Sequence, residues 1–350
     1  MSHPPYAGGF FFNYICVMNL DFSFIIPVYN RPREILELLE SFTILEFKPP
    51  YEIVIVEDGS TETSEEIVDQ FRSTLNISYY YKENSGPGDS RNYGMARAKG
   101  NYFIILDSDV ILPPHYLNTV SAFLTNTYCD CFGGADAAHP SFTKLQKAIN
   151  YVMTSFLTTG GIRGNKTQIG DFEPRSFNMG ISRKAFEQTS GFGKIHPGED
   201  PDLSHRIRKA GFKTRFVPGA YVYHKRRISW RKFYMQVTKF GLVRPILSKW
   251  HPESAKITFW FPSVFSVGFV ISLLLAFLLN WFYAIPVIFY IMLILIDASI
   301  RNRSVEIGFM AVIALFVQFF GYGLAFLKST FYIRILNKQA RKQFPQLFFE

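Results

Sequence analysis

The hydrophobic and polar positions fall into two regimes. Up to about residue 224, short uncharged runs of β-formers alternate with stretches of helical period; from Ile257 onward apolar residues dominate. In the first regime residues 22–28, 51–56, 77–81 and 102–106 read as strands. Between the first two, Ile35, Leu38, Leu39, Phe42 and Leu45 recur at helical spacing behind Pro32, which suits a first helical position. Thr63 and Glu66 have the spacing of a capping box for a helix ending at Phe71. The turn at residues 85–88 opens a helix through Ala98. Strands joined by helices over short links predict an α/β fold whose mostly parallel sheet is covered on both faces. Such sheets bind ligands at the carboxyl ends of their strands, which is where Asn30, Asp58 and Asp107 fall.

Beyond His115 the pattern loosens. It predicts helices over residues 118–125 and 142–157, a short strand over 131–134 and a mobile loop over 158–175. A helix over 203–210 follows, opened by Glu199-Asp200-Pro201-Asp202, and a last strand over 214–223 ends in His224. Residues 228–247 interleave basic and aromatic positions at helical spacing, the pattern of an amphipathic helix at a membrane interface.

The second regime is a membrane anchor. Residues 257–296 form 40 positions without Asp, Glu, Lys or Arg, and 307–327 form another 21. Roughly 20 apolar residues suffice for a helical crossing, so about three crossings are expected, over 259–279, 284–300 and 307–327. The implied organisation is an N-terminal extension (1–20), a catalytic unit (21–225), interfacial helices (226–256), membrane helices (257–328) and a basic tail (329–350). Met18 reads as the natural start, with residues 1–17 an extension.

The net charge of +9 on 350 residues points away from nucleic acid, because the bases flank the apolar runs and no recognition motif accompanies them. The basic approach to Ile257 agrees with a cytoplasmic placement of the unit before it, at the cell's inner (plasma) membrane. Three full crossings then leave the tail on the far side, against the bias of its own bases. The three cysteines, Cys16, Cys129 and Cys131, have neither a disulfide framework nor zinc-ligand spacing.

The chemistry centres on Asp107-Ser108-Asp109, which follows the run 102–106. Alternation along an extended chain points both carboxylates the same way, and two close anions call for a cation between them. A hard divalent ion, Mg²⁺ or Mn²⁺, shared with substrate phosphates suits that arrangement.

Taken in order, Pro27-Val28-Tyr29-Asn30, Glu57-Asp58-Gly59-Ser60, Arg91-Asn92-Tyr93-Gly94, Asp107-Ser108-Asp109, Glu199-Asp200 and His224 resemble the family 2 glycosyltransferases of GT-A fold, over residues 22–245. The resemblance implies a nucleotide-sugar donor and inverting sugar transfer. It puts Pro27, Tyr29 and Asn30 beside the nucleotide, Asp58 on its base and Arg91 nearby. Asp107 would hold ribose or sugar hydroxyls, Asp109 the metal, and Asp200 would be the catalytic base. His224 is either a further metal ligand or a hydrogen-bonding group at the sheet edge. Glu199, Arg226 and Arg227 fall on the acceptor or phosphate side. The signature of processive members, Gln/Arg-x-x-Arg-Trp, is matched only with wrong spacing by residues 226–230, which argues for single transfers. The implied acceptor is a hydroxyl of a lipid-linked glycan. Polyprenyl phosphate is the alternative acceptor, and a non-catalytic nucleotide-binding membrane scaffold is the alternative of another class.

Overall fold

A computed structural model describes residues 19–47, 49–137, 142–159, 172–224 and 229–349. The extension before Asn19, most of the loop expected over 158–175, and Arg226 and Arg227 lie outside the described residues.

The first half alternates as the pattern predicts: β1 (Phe22–Val28), α1 (Pro32–Thr43), β2 (Tyr51–Asp58), α2 (Glu65–Phe71), β3 (Ile77–Lys82), α3 (Pro87–Arg97) and β4 (Tyr102–Leu106). The strands β3-β2-β1-β4 are parallel neighbours. The expected capping box is not made: Ser64 is the N-cap of α2, and no side chain caps it. Ser64 N instead donates to the buried Glu57 carboxylate, which also receives Tyr79 Oη.

Then follow β5 (Val110–Ile111), α4 (Tyr116–Asn126), β6 (Cys131–Ala137), α5 (Lys144–Thr154), α6 (Phe156–Thr159), β7 (Asn178–Ser182), α7 (Arg183–Thr189), α8 (Glu199–Lys209) and β8 (Thr214–His224). The sequence pattern assigns no element to 176–198, yet β7 sits at the centre of the eight-stranded sheet, antiparallel to both β4 and β6. Its five residues, Asn-Met-Gly-Ile-Ser, are all buried but mix polar and small side chains, so no apolar run announces them. The sheet is therefore mixed rather than uniformly parallel.

Alternation sorts the strand residues into two cores. Phe24, Ile26, Ile53 and Ile104 face α1, α2 and α4, whereas Ile25, Val54, Phe103 and Ile105 face α3, α7 and α8. At Gly94 a Cβ would stand 2.8 Å from the Ile25 side chain, so only glycine lets α3 lie this close to the sheet.

Four long helices follow: α9 (Trp230–Trp250), α10 (Phe261–Leu278), α11 (Ile285–Asn302) and α12 (Val305–Thr330). The last three are long and apolar enough to cross a membrane, in agreement with the composition. They are not equivalent. Only 11% of the apolar window of α10 and of α11 is buried, whereas half of that of α12 is.

Helix α12 lies along the catalytic unit. Glu306 at its start pairs with Lys144 of α5, Gln318 Nε2 donates to the Val152 carbonyl, and Ser329 Oγ donates to the Leu242 carbonyl of α9 at 2.6 Å. A Cβ at Gly241 would overlap the Tyr322 carbonyl oxygen, which makes that glycine the close-approach point of α9 and α12. The tail then returns to the catalytic unit: His196 N donates to Leu347 O at 2.7 Å and Phe349 N to Lys194 O at 3.0 Å. The tail thus packs on the same unit that precedes the three apolar helices, and one face of α12 is occupied by α5 and α9, which hydropathy alone does not register.

Candidate active site

The turn after β4 carries Asp107 and Asp109, and the small strand β5 that follows pairs with the end of β8 in the register Val110↔His224. That pairing brings His224 beside Asp109, with Nε2 3.2 Å from Oδ1. One ligand atom each from Asp107, Asp109 and His224 lies within 4.8 Å of the others. An O, O, N donor set suits Mn²⁺ or Mg²⁺, so these residues fit a hard divalent cation. His224 also stacks on Phe177 and lies 3.8 Å from Asp136. Burial lowers its affinity for a proton, but Asp109 and then Asp136 outweigh burial and raise its pKa to about 9. Arg31, from the turn after β1, reaches Asp109 Oδ2 at 2.5 Å.

Behind the aspartates, Arg91 of α3 is buried and joins the two halves of the site. Its Nη2 donates to Asp107 at 2.7 Å and its Nη1 to Glu199 at 3.2 Å. Glu199 and Asp200 open α8, where the helix N-terminus favours carboxylates. Their environments push them apart. Burial alone would raise Glu199, but His196, 2.8 Å away, and Arg91 hold it down to about 2. Asp200 is raised to about 6, first by burial and then by the neighbouring Glu199 charge, against the pull of Arg91 and Arg175. Although residue 200 is only partly buried as a whole, its Oδ1 is sealed from solvent and has no hydrogen-bond partner. One carboxylate is thus held as an anion by its neighbours, while the other keeps an oxygen without a hydrogen-bond partner.

The expected donor residues are placed less uniformly. Pro27 is buried near the end of β1, and Tyr29 stands exposed beyond it. Asn30, at φ 53°, uses its Oδ1 to accept from Thr61 N, Thr61 Oγ1 and Glu62 N, tying the β1 and β2 ends together. Asp58 is buried and accepts from Lys82 Nζ at 2.6 Å and from the backbone N–H groups of Ser85 and Gly86 at 3.0 Å. Glu199, expected on the acceptor side, lines the cavity but directs Oε1 to Arg91 and His196. Sequence reasoning missed Arg31, Asp136 and His196. Arg31 adjoins the flagged Asn30, so proximity could have found it; nothing local marks Asp136.

Asp109, His224, Asp200 and Arg91 open into one cavity of about 1110 Å³ that continues past Arg175 and Arg244 to Phe259, Pro262 and Tyr322 on the apolar helices. This exceeds the roughly 300–1,000 Å³ of ordinary ligand pockets.

A covered, mixed α/β sheet with an Asp-x-Asp turn at its strand ends is the GT-A architecture. Residues 23–189 match the family model described as "Glycosyl transferase family 2". Over 91% of this chain and 88% of its own, the fold is similar to that of the mannosyltransferase PcManGT from Pyrobaculum calidifontis, solved with GDP-Man and Mn²⁺, at a TM-score of 0.55 and 15% identity. The poly(ribitol-phosphate) beta-N-acetylglucosaminyltransferase TarS of Staphylococcus aureus is 34% identical over 32% of this chain. The chondroitin synthase of Escherichia coli is 27% identical over 58% of it. The match spans about 20% of the first relative's length and 34% of the second's.

Proposed function

We propose that the protein is a metal-dependent, inverting glycosyltransferase that moves one sugar from a nucleotide-sugar donor to a hydroxyl of a lipid-linked glycan at the cytoplasmic face of the plasma membrane. The observation that carries this reading is the single cavity joining the Asp109–His224 pair, the unspent Asp200 carboxylate and the apolar helices. In this reading Asp109 and His224 hold Mn²⁺ or Mg²⁺, with Asp107 beside them on the donor's ribose or sugar hydroxyls. When bound, the ion neutralises charge growing on the diphosphate leaving group. Asp58 takes the base of the nucleotide, with Pro27, Tyr29 and Asn30 at its border. Arg91 fixes Asp107 and Glu199, and Asp200 accepts the acceptor hydroxyl's proton on the face opposite the leaving group. Helices α10 and α11 cross as a hairpin, while α12 lies along the membrane beneath the catalytic unit and returns the tail to it. The PcManGT likeness supports the fold of this assignment, and the basic residues Arg244, Lys249 and Lys256 support its orientation.

A panel of nucleotide sugars incubated with the full chain, Mn²⁺ and a lipid extract tests the reading through release of nucleoside diphosphate. Release that requires metal, donor and lipid together is expected. Binding of donor without release under any combination would favour a nucleotide-binding scaffold instead. Polyprenyl phosphate as the acceptor is a second reading, favoured by the basic stretch of the cavity. It predicts that Asp200 is dispensable, because an acceptor that is already an anion needs no base.

A further inference from the structure

The cavity changes character along its length. One end is acidic, around Asp107 and Asp109. Its middle holds Arg175 and Arg244, and beyond them it is lined by aromatic and aliphatic side chains. The two arginines come from distant parts of the chain. Arg175 precedes β7 and Arg244 lies on α9, and both converge on Glu173 Oε2, at 3.5 and 3.7 Å. These separations are long for charge-assisted hydrogen bonds, which form at about 2.7–2.9 Å. Arg244 Nη1 is sealed from solvent and makes no hydrogen bond.

A desolvated guanidinium normally takes all its partners, because leaving a buried charged donor unmet is costly. Here Arg244 Nη1 lacks a hydrogen-bond partner while both guanidinium groups lean on Glu173, and Lys256 is close enough to act on the same carboxylate. Burial, and then the facing Arg244 charge, pull Arg175 below its ordinary pKa, against the opposing pull of Glu173, Asp200 and Glu199. Glu173 is also approached by His205, whose Nε2 lies 3.6 Å from Oε1, so the carboxylate is divided further.

Position decides what anion belongs there. Asp200 feels Arg175 as one of its neighbouring charges, so the pair stands next to the proposed base. On the other side the Arg244 guanidinium lies 4.5 Å above the Phe259 ring, at the threshold of the first apolar helix. Past it the cavity wall is Val243, Leu247, Pro262, Val264 and Tyr322. A free phosphate would use only the charges; a phosphorylated lipid would use the charges and the wall together.

We propose that Arg175 and Arg244 form the binding site for the phosphate that joins lipid to glycan in the acceptor, whose hydrocarbon chain leaves the cavity between α9, α10 and α12. This deepens the membrane-acceptor reading and rests on it. The site is built wholly from described residues. A planar guanidinium fork matches phosphate oxygens in a way a lysine cannot fully reproduce.

The test uses the full chain in detergent micelles, with farnesyl phosphate, farnesol and inorganic phosphate as probes, titrated calorimetrically with and without nucleoside diphosphate and Mn²⁺. The parent should bind farnesyl phosphate at least about tenfold more tightly than either other probe. In Arg244→Gln that preference should fall about tenfold, with partial recovery in Arg244→Lys, while Mn²⁺-dependent nucleotide binding is unchanged. Equal binding of farnesol and farnesyl phosphate by the parent would overturn the site, as would an undiminished preference in Arg244→Gln. Inorganic phosphate binding as tightly as the lipid would show a free-phosphate site and overturn the lipid assignment. The comparison within the parent needs no variant to fold. Loss of Mn²⁺-dependent nucleotide binding in the parent would instead refute the transferase reading, and the two failures are read in separate titrations.

Discussion

Replacing Asp200 by Asn separates the proposed base from everything else in the site. The carboxyl is raised from an ordinary 3.8 to about 6, first by burial and then by Glu199. A base must be ionised to accept a proton, so the parent's kcat/KM should fall about tenfold per pH unit below pH 6 and level off above it. The amide cannot accept the proton, and turnover at neutral pH should drop by about 10² or more, some 3 kcal/mol of transition-state stabilisation. Donor affinity should hardly change, because the amide keeps the carboxyl's shape and the proposed metal ligands lie elsewhere. The same shift has a consequence for stability. A carboxyl whose folded pKa lies above its unfolded value binds its proton more tightly when folded, so it favours the folded state in acid. That contribution is fully present below about pH 4 and is lost as pH rises through 6. Relative to the parent, Asp200→Asn should therefore gain apparent stability at pH 7 by up to about 3 kcal/mol, with the gain vanishing near pH 4. Steady-state release of nucleoside diphosphate across pH 5–9 and thermal unfolding at both pH values measure the two effects. Full turnover in the variant would refute the base assignment and move the acceptor to a phosphate. A lower Tm at pH 7 would show that Asp200 is a satisfied structural carboxylate.

Asp109→Asn should abolish Mn²⁺-dependent donor binding, since an amide lacks the charge that holds a hard cation; equilibrium binding with and without chelator reads this out, and unchanged metal-responsive affinity would contradict the site. For topology, cysteines introduced at Leu279, exposed between α10 and α11, and at Lys338, in the tail, should respond oppositely to a membrane-impermeant thiol reagent on whole cells. Leu279→Cys should be labelled and Lys338→Cys protected, whereas labelling of Lys338→Cys would restore three full crossings. Gly241→Leu should lower the apparent stability by about 1–3 kcal/mol or more by forcing α9 off α12, read as a drop in Tm; an unaltered Tm would show that the contact with the Tyr322 carbonyl is not tight.

What the sequence determined by itself was the part governed by local period and composition. Continuous β-forming runs and helical spacing delimited β1 to β4 and the helices between them; β1, β2 and β4 are buried on both faces, which demands uniform apolarity, while the edge strand β3 shows as a run of β-formers. Forty residues without charge marked a membrane anchor, because length and hydropathy are sufficient for that inference. The ordered motifs marked Asp107, Asp109, Asp200 and His224, all of which line one cavity. Tertiary structure alone decided the rest. Strand β7 has no apolar signature, and its place at the centre of the sheet follows from pairing with β4 and β6. His224 reaches Asp109 only because two residues of β5 pair with the end of β8, a register that no window of sequence contains. Whether Glu199 or Asp200 stays unspent depends on where Arg91 and His196 arrive from other elements. Hydropathy ranked α12 with α10 and α11 because it counts apolar side chains without asking what they touch. The helix differs because α5 and α9 occupy one of its faces and the tail beyond it binds back to residues 194–196.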